Sequence, residues 1–223
     1  MSATMSSAPS HEWFPIAASD DLPPRHVYHA ELLGQELAVW RADDGFVNVW
    51  ENRCLHRGVR LSIGLNLGQS LKCQYHGWVY SSRSSNCTYI PAHPENAPAR
   101  VICNKTFPSA ERHGLVWSRL EGEGSLPEVP ELEGLALVLR AIPVKRPAAD
   151  VVAALCEEGG TAVGNYAVRL DDGDLIVFVQ PQTHMSAILR GLARPAPDGD
   201  GMALLKRCNE SFKALRDRLE HRR

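Results

Sequence analysis

Four residues in the first third of the chain have the types and spacing of metal ligands. Cys54 and His56 lie in the segment CLHRG, and Cys73 and His76 lie in the segment CQYHGW. Sixteen residues separate His56 from Cys73, which gives the pattern C-x-H-x16-C-x-x-H. Each segment offers one thiolate and one imidazole. Two such loops facing each other can supply two thiolates to one iron and two imidazoles to a second, the ligand set of a Rieske-type [2Fe–2S] cluster.

A glycine follows each pair of candidate ligands. Gly58 comes two residues after His56, and Gly77 comes directly after His76. Glycine lets a loop turn tightly and brings its backbone N–H groups close to the sulfur atoms, which is one way in which a protein sets the potential of a cluster. Neutral imidazole ligands leave a cluster less negative than four thiolates do, so the pattern predicts a higher potential than that of plant-type ferredoxins.

The alternative for the same residue types is a structural zinc ion. Zinc fingers order their ligands as a cysteine pair followed by a histidine pair, with a longer gap inside each pair. Here each half mixes the two types, and only one residue separates Cys54 from His56. The spacing therefore favours the two-iron cluster over zinc.

Residues 12–120 resemble the N-terminal Rieske domain of ring-hydroxylating and demethylating oxygenases. The resemblance lies in the segments WFPIAASDDLP, LLGQELAVWRADDGFVNVWENRCLHRGVRLSIG, LKCQYHGWVY, CTYIPAHPE and ERHGLVWSRL. It implies a sandwich-like β domain with a cluster-binding insertion at its tip, and imidazoles near the surface. Val59 and Tyr75 stand where Rieske proteins of respiratory complexes carry the cysteines of a disulfide, and Trp78 follows the second motif, so the resemblance is to the low-potential type.

The pattern of apolar residues and turn signals predicts an α+β chain. Residues 11–120 read as an all-β Rieske domain of short strands. It includes a hairpin in which the segments HVYHAELLGQELAVWR and FVNVWENRC flank an Asp-Gly turn at residues 42–45. Residues 121–134 are acidic and rich in glycine and proline, which is typical of a linker. Residues 135–223 read as a small α+β segment with a strand at LALVLRAIPV, a short helix, a second Asp-Gly hairpin, a further strand and a terminal helix.

The second domain of these oxygenases holds a mononuclear iron with two histidines and one carboxylate, and no such motif is recognisable in this chain. The only histidines after residue 113 are His184 and His221. The segment 135–223 is also shorter than the usual catalytic domain and resembles a reduced form of it. The other cysteines have no acidic or histidine neighbours at useful spacing and read as buried apolar residues.

The resemblance and the missing motif together predict an electron-transfer subunit of a heteromeric oxygenase. It would take electrons from a reductase or ferredoxin and pass them to a mononuclear iron on a partner chain, within an oligomer. Two alternatives stay open: a stand-alone Rieske-type ferredoxin, and a complete oxygenase with an atypical iron site.

Composition argues against two classes of partner. The net charge of −2 over 223 residues gives no reason to expect nucleic acid as a partner, since phosphate binding needs a clustered basic surface. No apolar run is long enough to span a bilayer, and the first residues show no export signal, so we expect a cytoplasmic protein without a membrane partner.

Overall fold

The computed structural model describes residues 10–95, 101–126, 137–170, 174–195 and 201–221. Antiparallel strands dominate, and two α-helices lie in the second half. In the first half the strands are β1 Phe14–Ala18, β2 Tyr28–Leu32, β3 Gln35–Arg41, β4 Val47–Glu51, β5 Leu65–Asn66, β6 Ser70–Lys72, β7 Val79–Ser81, β8 Cys87–Tyr89, β9 Thr106–Phe107, β10 Ser109–Arg112 and β11 Leu115–Ser118. None of the described helices is both long enough and apolar enough to cross a membrane.

The base of the first half consists of two small sheets that share one core. Their strand orders are β1-β11-β10 and β2-β3-β4-β9. Alternate residues of these strands point to opposite faces, and both faces of β3 are buried, with Leu37 in one apolar cluster and Trp40 in another. The inward side chains, among them Phe14, Leu37, Val49 and Val116, form a single apolar cluster.

A third sheet, of order β5-β6-β7-β8, forms the tip that carries the candidate ligands. Its core is aromatic: Trp40 packs edge-on against Trp50 at 5.2 Å between ring centroids, and Tyr80 lies next to Trp50 at 6.4 Å. Cys54 and Cys73 are members of the same buried cluster. Edge-on aromatic pairs add specific attraction to the burial of a large apolar area, which makes this core a rigid support for the two loops.

The segment HVYHAELLGQELAVWR, which we expected to form one arm of a hairpin, contains a turn of its own. Leu33 and Gly34 both have positive φ angles, 53° and 81°, and they join β2 to β3. A two-residue turn in which both residues have positive φ has a backbone twist that matches the right-handed twist of the flanking strands, so it connects them tightly. The expected turn at the Asp-Gly pair is confirmed, with Gly45 at φ 85° between β3 and β4.

The second half is a six-stranded antiparallel sheet with two helices. Its elements are β12 Leu137–Val138, β13 Ile142–Val144, α1 Ala148–Glu157, β14 Thr161–Gly164, β15 Ala167–Leu170, β16 Leu175–Thr183, β17 Ser186–Ala193 and α2 Gly201–His221. The predicted short helix, hairpin, strand and terminal helix are all present. Most of the predicted linker falls on residues 127–136, which lie outside the described residues.

Two details of the second half differ from the sequence prediction. The segment LALVLRAIPV, expected to be one strand, is divided into β12 and β13, both paired with β17. Three residues lie between Val138 and Ile142, but only two lie between their partners Leu192 and Leu189, so the extra residue forms a bulge that interrupts the strand. β14 is an additional edge strand, and the sequence TAVG gives little signal for it.

The two halves meet along a buried seam that contains polar groups. Arg190, 2% exposed, donates to Gln180 Oε1 at 2.8 Å and to the carbonyl oxygen of Ile16 at 2.6 Å. Ile16 lies at a bulge in the pairing of β1 with β11, where its carbonyl is released from the ladder. Gln180 in turn donates to the carbonyl of Glu31 at 2.8 Å. Since buried polar groups are stable only with partners, this network fixes the second half against the first.

Apolar contacts complete the seam. Trp117 of β11 packs edge-on against Phe178 of β16, with ring centroids 5.0 Å apart. Both belong to a buried cluster that includes Leu115, Ile176 and Leu192. The opposite face of the C-terminal sheet packs on α1 and α2. Each face of this sheet is therefore covered within the chain.

Candidate iron–sulfur site

The first ligand loop is a tight turn closed at both ends by backbone hydrogen bonds. The N–H of Cys54 donates to the carbonyl of Val59 at 2.8 Å, and the N–H of Gly58 donates to the carbonyl of Cys54 at 2.8 Å. Gly58 has a φ of 70°, a backbone conformation that residues other than glycine rarely adopt. His56 stands at the apex of this turn.

The second ligand loop repeats the same turn. The N–H of Cys73 donates to the carbonyl of Trp78 at 2.8 Å, and the N–H of Gly77 donates to the carbonyl of Cys73 at 3.1 Å. Gly77 has a φ of 71°, within one degree of Gly58. The loops differ in where histidine falls, two residues after the cysteine in the first and three residues after it in the second.

The four predicted ligands come together, and their burial separates them by type. Cys54 and Cys73 are 2% and 1% exposed, and their thiols contact each other. His56 and His76 are exposed, with ring centroids 4.6 Å apart. The sulfur donors thus lie on the inner side of the site and the nitrogen donors on the outer side, as the resemblance implied.

Hydrogen-bond donors point at both sulfur atoms. The backbone N–H groups of Tyr75 and His76 point at the Cys73 thiol. The hydroxyl of Tyr80 lies 3.2 Å from the Sγ of Cys54. Burial raises the pKa of the Cys73 thiol above its ordinary value, so insertion of a metal centre has to release a proton there. Donors held in place around sulfur favour the charged thiolate once a metal has replaced that proton.

Aromatic rings flank both imidazoles. Trp78 stacks on His56, with centroids 4.9 Å apart and planes 4° from parallel. Tyr75 covers His76 at 3.7 Å between centroids. Sequence reasoning noted Trp78 and Tyr75 only as markers of the subgroup, and it missed Tyr80. The contact of Tyr80 with Cys54 depends on the inward face of β7, which no local pattern around Cys54 reveals.

The donor set fits a two-iron cluster better than a single ion. Two buried thiols beside two exposed imidazoles, with amides aimed at sulfur, match a centre in which each iron takes two protein ligands of one kind. His184 and His221 lie apart, in the turn between β16 and β17 and at the end of α2.

Residues 12–108 match the family described as the Rieske [2Fe–2S] domain. The chain therefore carries a Rieske domain, which binds a Rieske-type [2Fe–2S] cluster, and its relatives are found among Rieske non-haem iron oxygenases.

Two curated proteins of Pseudomonas putida illustrate the relationship. The chain is 56% identical over 110 residues to the oxidoreductase NdmD, which covers 49% of this chain and 19% of NdmD. It is 35% identical over 125 residues to the methylxanthine N1-demethylase NdmA, which covers 54% of this chain and 35% of NdmA. The chain thus spans only a fifth to about a third of these relatives.

A solved structure extends the likeness in fold to the second half. Dicamba monooxygenase bound to dicamba superimposes with a TM-score of 0.78 over 96% of this chain and 87% of its own, at 18% sequence identity. Identity this low shows a shared fold alone.

Replacing Tyr80 with phenylalanine should lower the reduction potential of the cluster by about 40 mV, because the loss of one hydrogen bond to sulfur is worth about 1 kcal/mol. The hydroxyl favours the reduced, more negative cluster by donating to the sulfur of Cys54. Protein-film voltammetry measures the shift. Tyr75→Phe is the matched control, because Tyr75 is 60% exposed and no hydrogen bond to cysteine is found for its hydroxyl among the described residues. Equal potentials in Y80F and the unmodified protein would contradict the assigned role.

Proposed function

We propose that Cys54, His56, Cys73 and His76 ligate the [2Fe–2S] cluster, and that the chain is the electron-transfer subunit of a heteromeric Rieske oxygenase. A bound Rieske cluster accepts and releases one electron at a time. The observation that carries the proposal is the pairing of two exposed imidazoles with two buried thiols. Electrons can enter and leave at His56 and His76, while the inner thiols are shielded from solvent.

The destination of the electron is a mononuclear iron on a partner chain. This part of the proposal is supported by the sequence of the second half, where the two histidines, His184 and His221, lie 37 positions apart and form no recognisable two-histidine motif. The C-terminal sheet is covered on one face by α1 and α2 and on the other by the first half. A reductase or ferredoxin would supply the electrons, and the assembly would be an oligomer in the cytoplasm.

The seam bears on the alternative of a stand-alone ferredoxin. A carrier needs only the tip and its base, yet here Arg190 and Gln180 tie the second half to β1 and β2. A second half held so firmly is better explained as a surface for assembly with another chain than as an added domain of unrelated use.

The test is purification under anaerobic conditions, alone and co-expressed with the neighbouring genes. We expect two irons and two sulfides per chain, a rhombic EPR signal after reduction by dithionite, and substrate oxidation only when a partner chain is present. A third iron, with turnover by the isolated chain, would identify a complete oxygenase. Full electron transfer without any co-purifying chain would identify a free carrier.

A further inference from the structure

The segment that contains both ligand loops and the tip sheet β5–β8 has no acidic residue. Residues 52–94 hold no Asp or Glu, although 26 acidic residues in 223 would give about five in a stretch of this length. The same 43 residues hold five cations. They are Arg53, Arg57, Arg60, Lys72 and Arg83. The tip therefore carries +5 in a chain whose net charge is −2, and the rest of the chain carries −7.

Two of the five cations are neutralised by residues outside the tip. Arg60 pairs with Glu36 at 2.5 Å, and Arg83 pairs with Asp44 at 2.8 Å. The other three are Arg53, Arg57 and Lys72, and none of them forms an ion pair with any residue in the described part of the chain. Three uncompensated positive charges thus remain on the tip.

These three cations lie next to the two ligand loops. Arg57 follows His56 directly and acts electrostatically on His76. The guanidinium of Arg53 reaches the outer side of Gly58, with its Nε 3.0 Å from the position that a Cβ would occupy there. Lys72 precedes Cys73, and its Cε lies 3.5 Å from the corresponding position at Gly77. We call Arg53, Arg57 and Lys72 the basic rim.

The centre of the rim is apolar and aromatic. Leu55 is 45% exposed and Tyr75 is 60% exposed, and they directly precede the exposed histidines His56 and His76 in the chain. Exposed leucine and tyrosine side chains surrounded by charges of one sign are typical of a small, transient protein interface. An apolar centre allows close approach to the imidazoles, and the charged rim selects the partner by sign.

We propose that the basic rim docks the acidic face of the protein that donates electrons to the cluster. The inference rests on the proposed function, and it names the chemistry of one partner in it. The donor is the partner that must arrive and leave with each electron. Long-range attraction between opposite charges raises association rates by about 10- to 1000-fold and so benefits that partner most.

The probe is a plant-type [2Fe–2S] ferredoxin with an acidic surface, reduced before mixing. In one encounter it loses one electron and the oxidised cluster of this chain gains it, a downhill step because plant-type ferredoxins have lower reduction potentials than Rieske clusters. Stopped-flow absorbance of the full-length holoprotein gives the second-order rate constant. We expect it to fall at least tenfold between 20 and 500 mM salt (on the order of the steering effect).

Single substitutions then locate the surface. Arg53→Gln, Arg57→Gln and Lys72→Gln should each lower the low-salt rate constant by about threefold and flatten its salt dependence. Lys213→Gln removes the same charge from an exposed position on α2. It should leave the low-salt rate constant and its salt dependence unchanged. An unaltered visible spectrum in every variant shows that fold and cluster are intact.

A rate constant that is insensitive to salt, or equal losses in the rim variants and in K213Q, would overturn the docking surface. Either result leaves the proposed function intact as long as the cluster is reduced and partner-dependent turnover persists. Failure of that turnover, with normal docking kinetics, would instead count against the proposed function.

Discussion

Replacement of Cys73 by alanine is expected to abolish the [2Fe–2S] cluster. The thiol is 1% exposed and accepts hydrogen bonds from the backbone N–H groups of Tyr75 and His76, so solvent cannot replace it as a ligand. Iron and sulfide should fall to background, with loss of the visible absorption and of the EPR signal. Cys54→Ala, His56→Ala and His76→Ala should behave in the same way if all four are ligands.

The matched control for Cys73→Ala is Cys87→Ala. Cys87 is fully buried in the same core cluster and its Sγ contacts the carbonyl oxygen of Tyr89 at 3.7 Å, but it is not a proposed ligand. The two variants make the same chemical change at the same depth. Cys87→Ala should retain two irons per chain. Loss of iron from both variants would mean that core damage explains the result, and retention in C73A would mean that the ligand assignment is wrong.

Arg190→Met is expected to lower the free energy of unfolding by about 3 kcal/mol. The methionine fills much of the space but leaves Gln180 Oε1 and the Ile16 carbonyl without their donor. Each buried acceptor without a partner costs about 1–3 kcal/mol, and the charge of Asp21, 4.0 Å away, loses its counterpart. Urea denaturation followed by tryptophan fluorescence measures the effect, because Trp117 lies in the seam.

Arg194→Met serves as its control, because Arg194 directly follows Ala193, the buried last residue of β17. Arg194 pairs with Asp174 at 2.9 Å, but both side chains are about half or more exposed. Exposed ion pairs contribute at most about 1 kcal/mol, so the midpoint of unfolding should barely move. Similar losses in R190M and R194M would show that the network across the seam contributes no special stability.

The ligand loops could be predicted from sequence because the required residues are local. Cysteine, histidine and glycine fall within five residues of each other in each loop, and a chain that turns so tightly leaves few arrangements open. The surroundings of the sulfur atoms could not be predicted. Tyr80 reaches Cys54 across the tip core, over 26 positions of sequence, and only the pairing of β6 with β7 places it there.

Turn chemistry explains which elements of the fold were predicted correctly. The Asp-Gly pair at 44–45 is a strong turn signal and marked its hairpin, whereas Leu33-Gly34 did not, because leucine rarely adopts a positive φ. In the second half, regular periodicity identified α2, whose buried residues Cys208, Phe212, Leu215 and Leu219 recur every three to four positions. The bulge between β12 and β13 has no comparable periodicity in the sequence, so it could not be predicted.

The pairing of β1 shows that the family match and the folding unit end at different residues. The match to the Rieske family ends at residue 108, but the strand that pairs with β1 is β11, Leu115–Ser118. A fragment ending at 108 would keep all four proposed ligands and leave β1 without its neighbour. One ending at 120 would restore that strand, yet it would expose Trp117 and remove the donor to Ile16. The four proposed ligands therefore lie within the family match, but the stability of the domain that holds them depends on residues beyond that match.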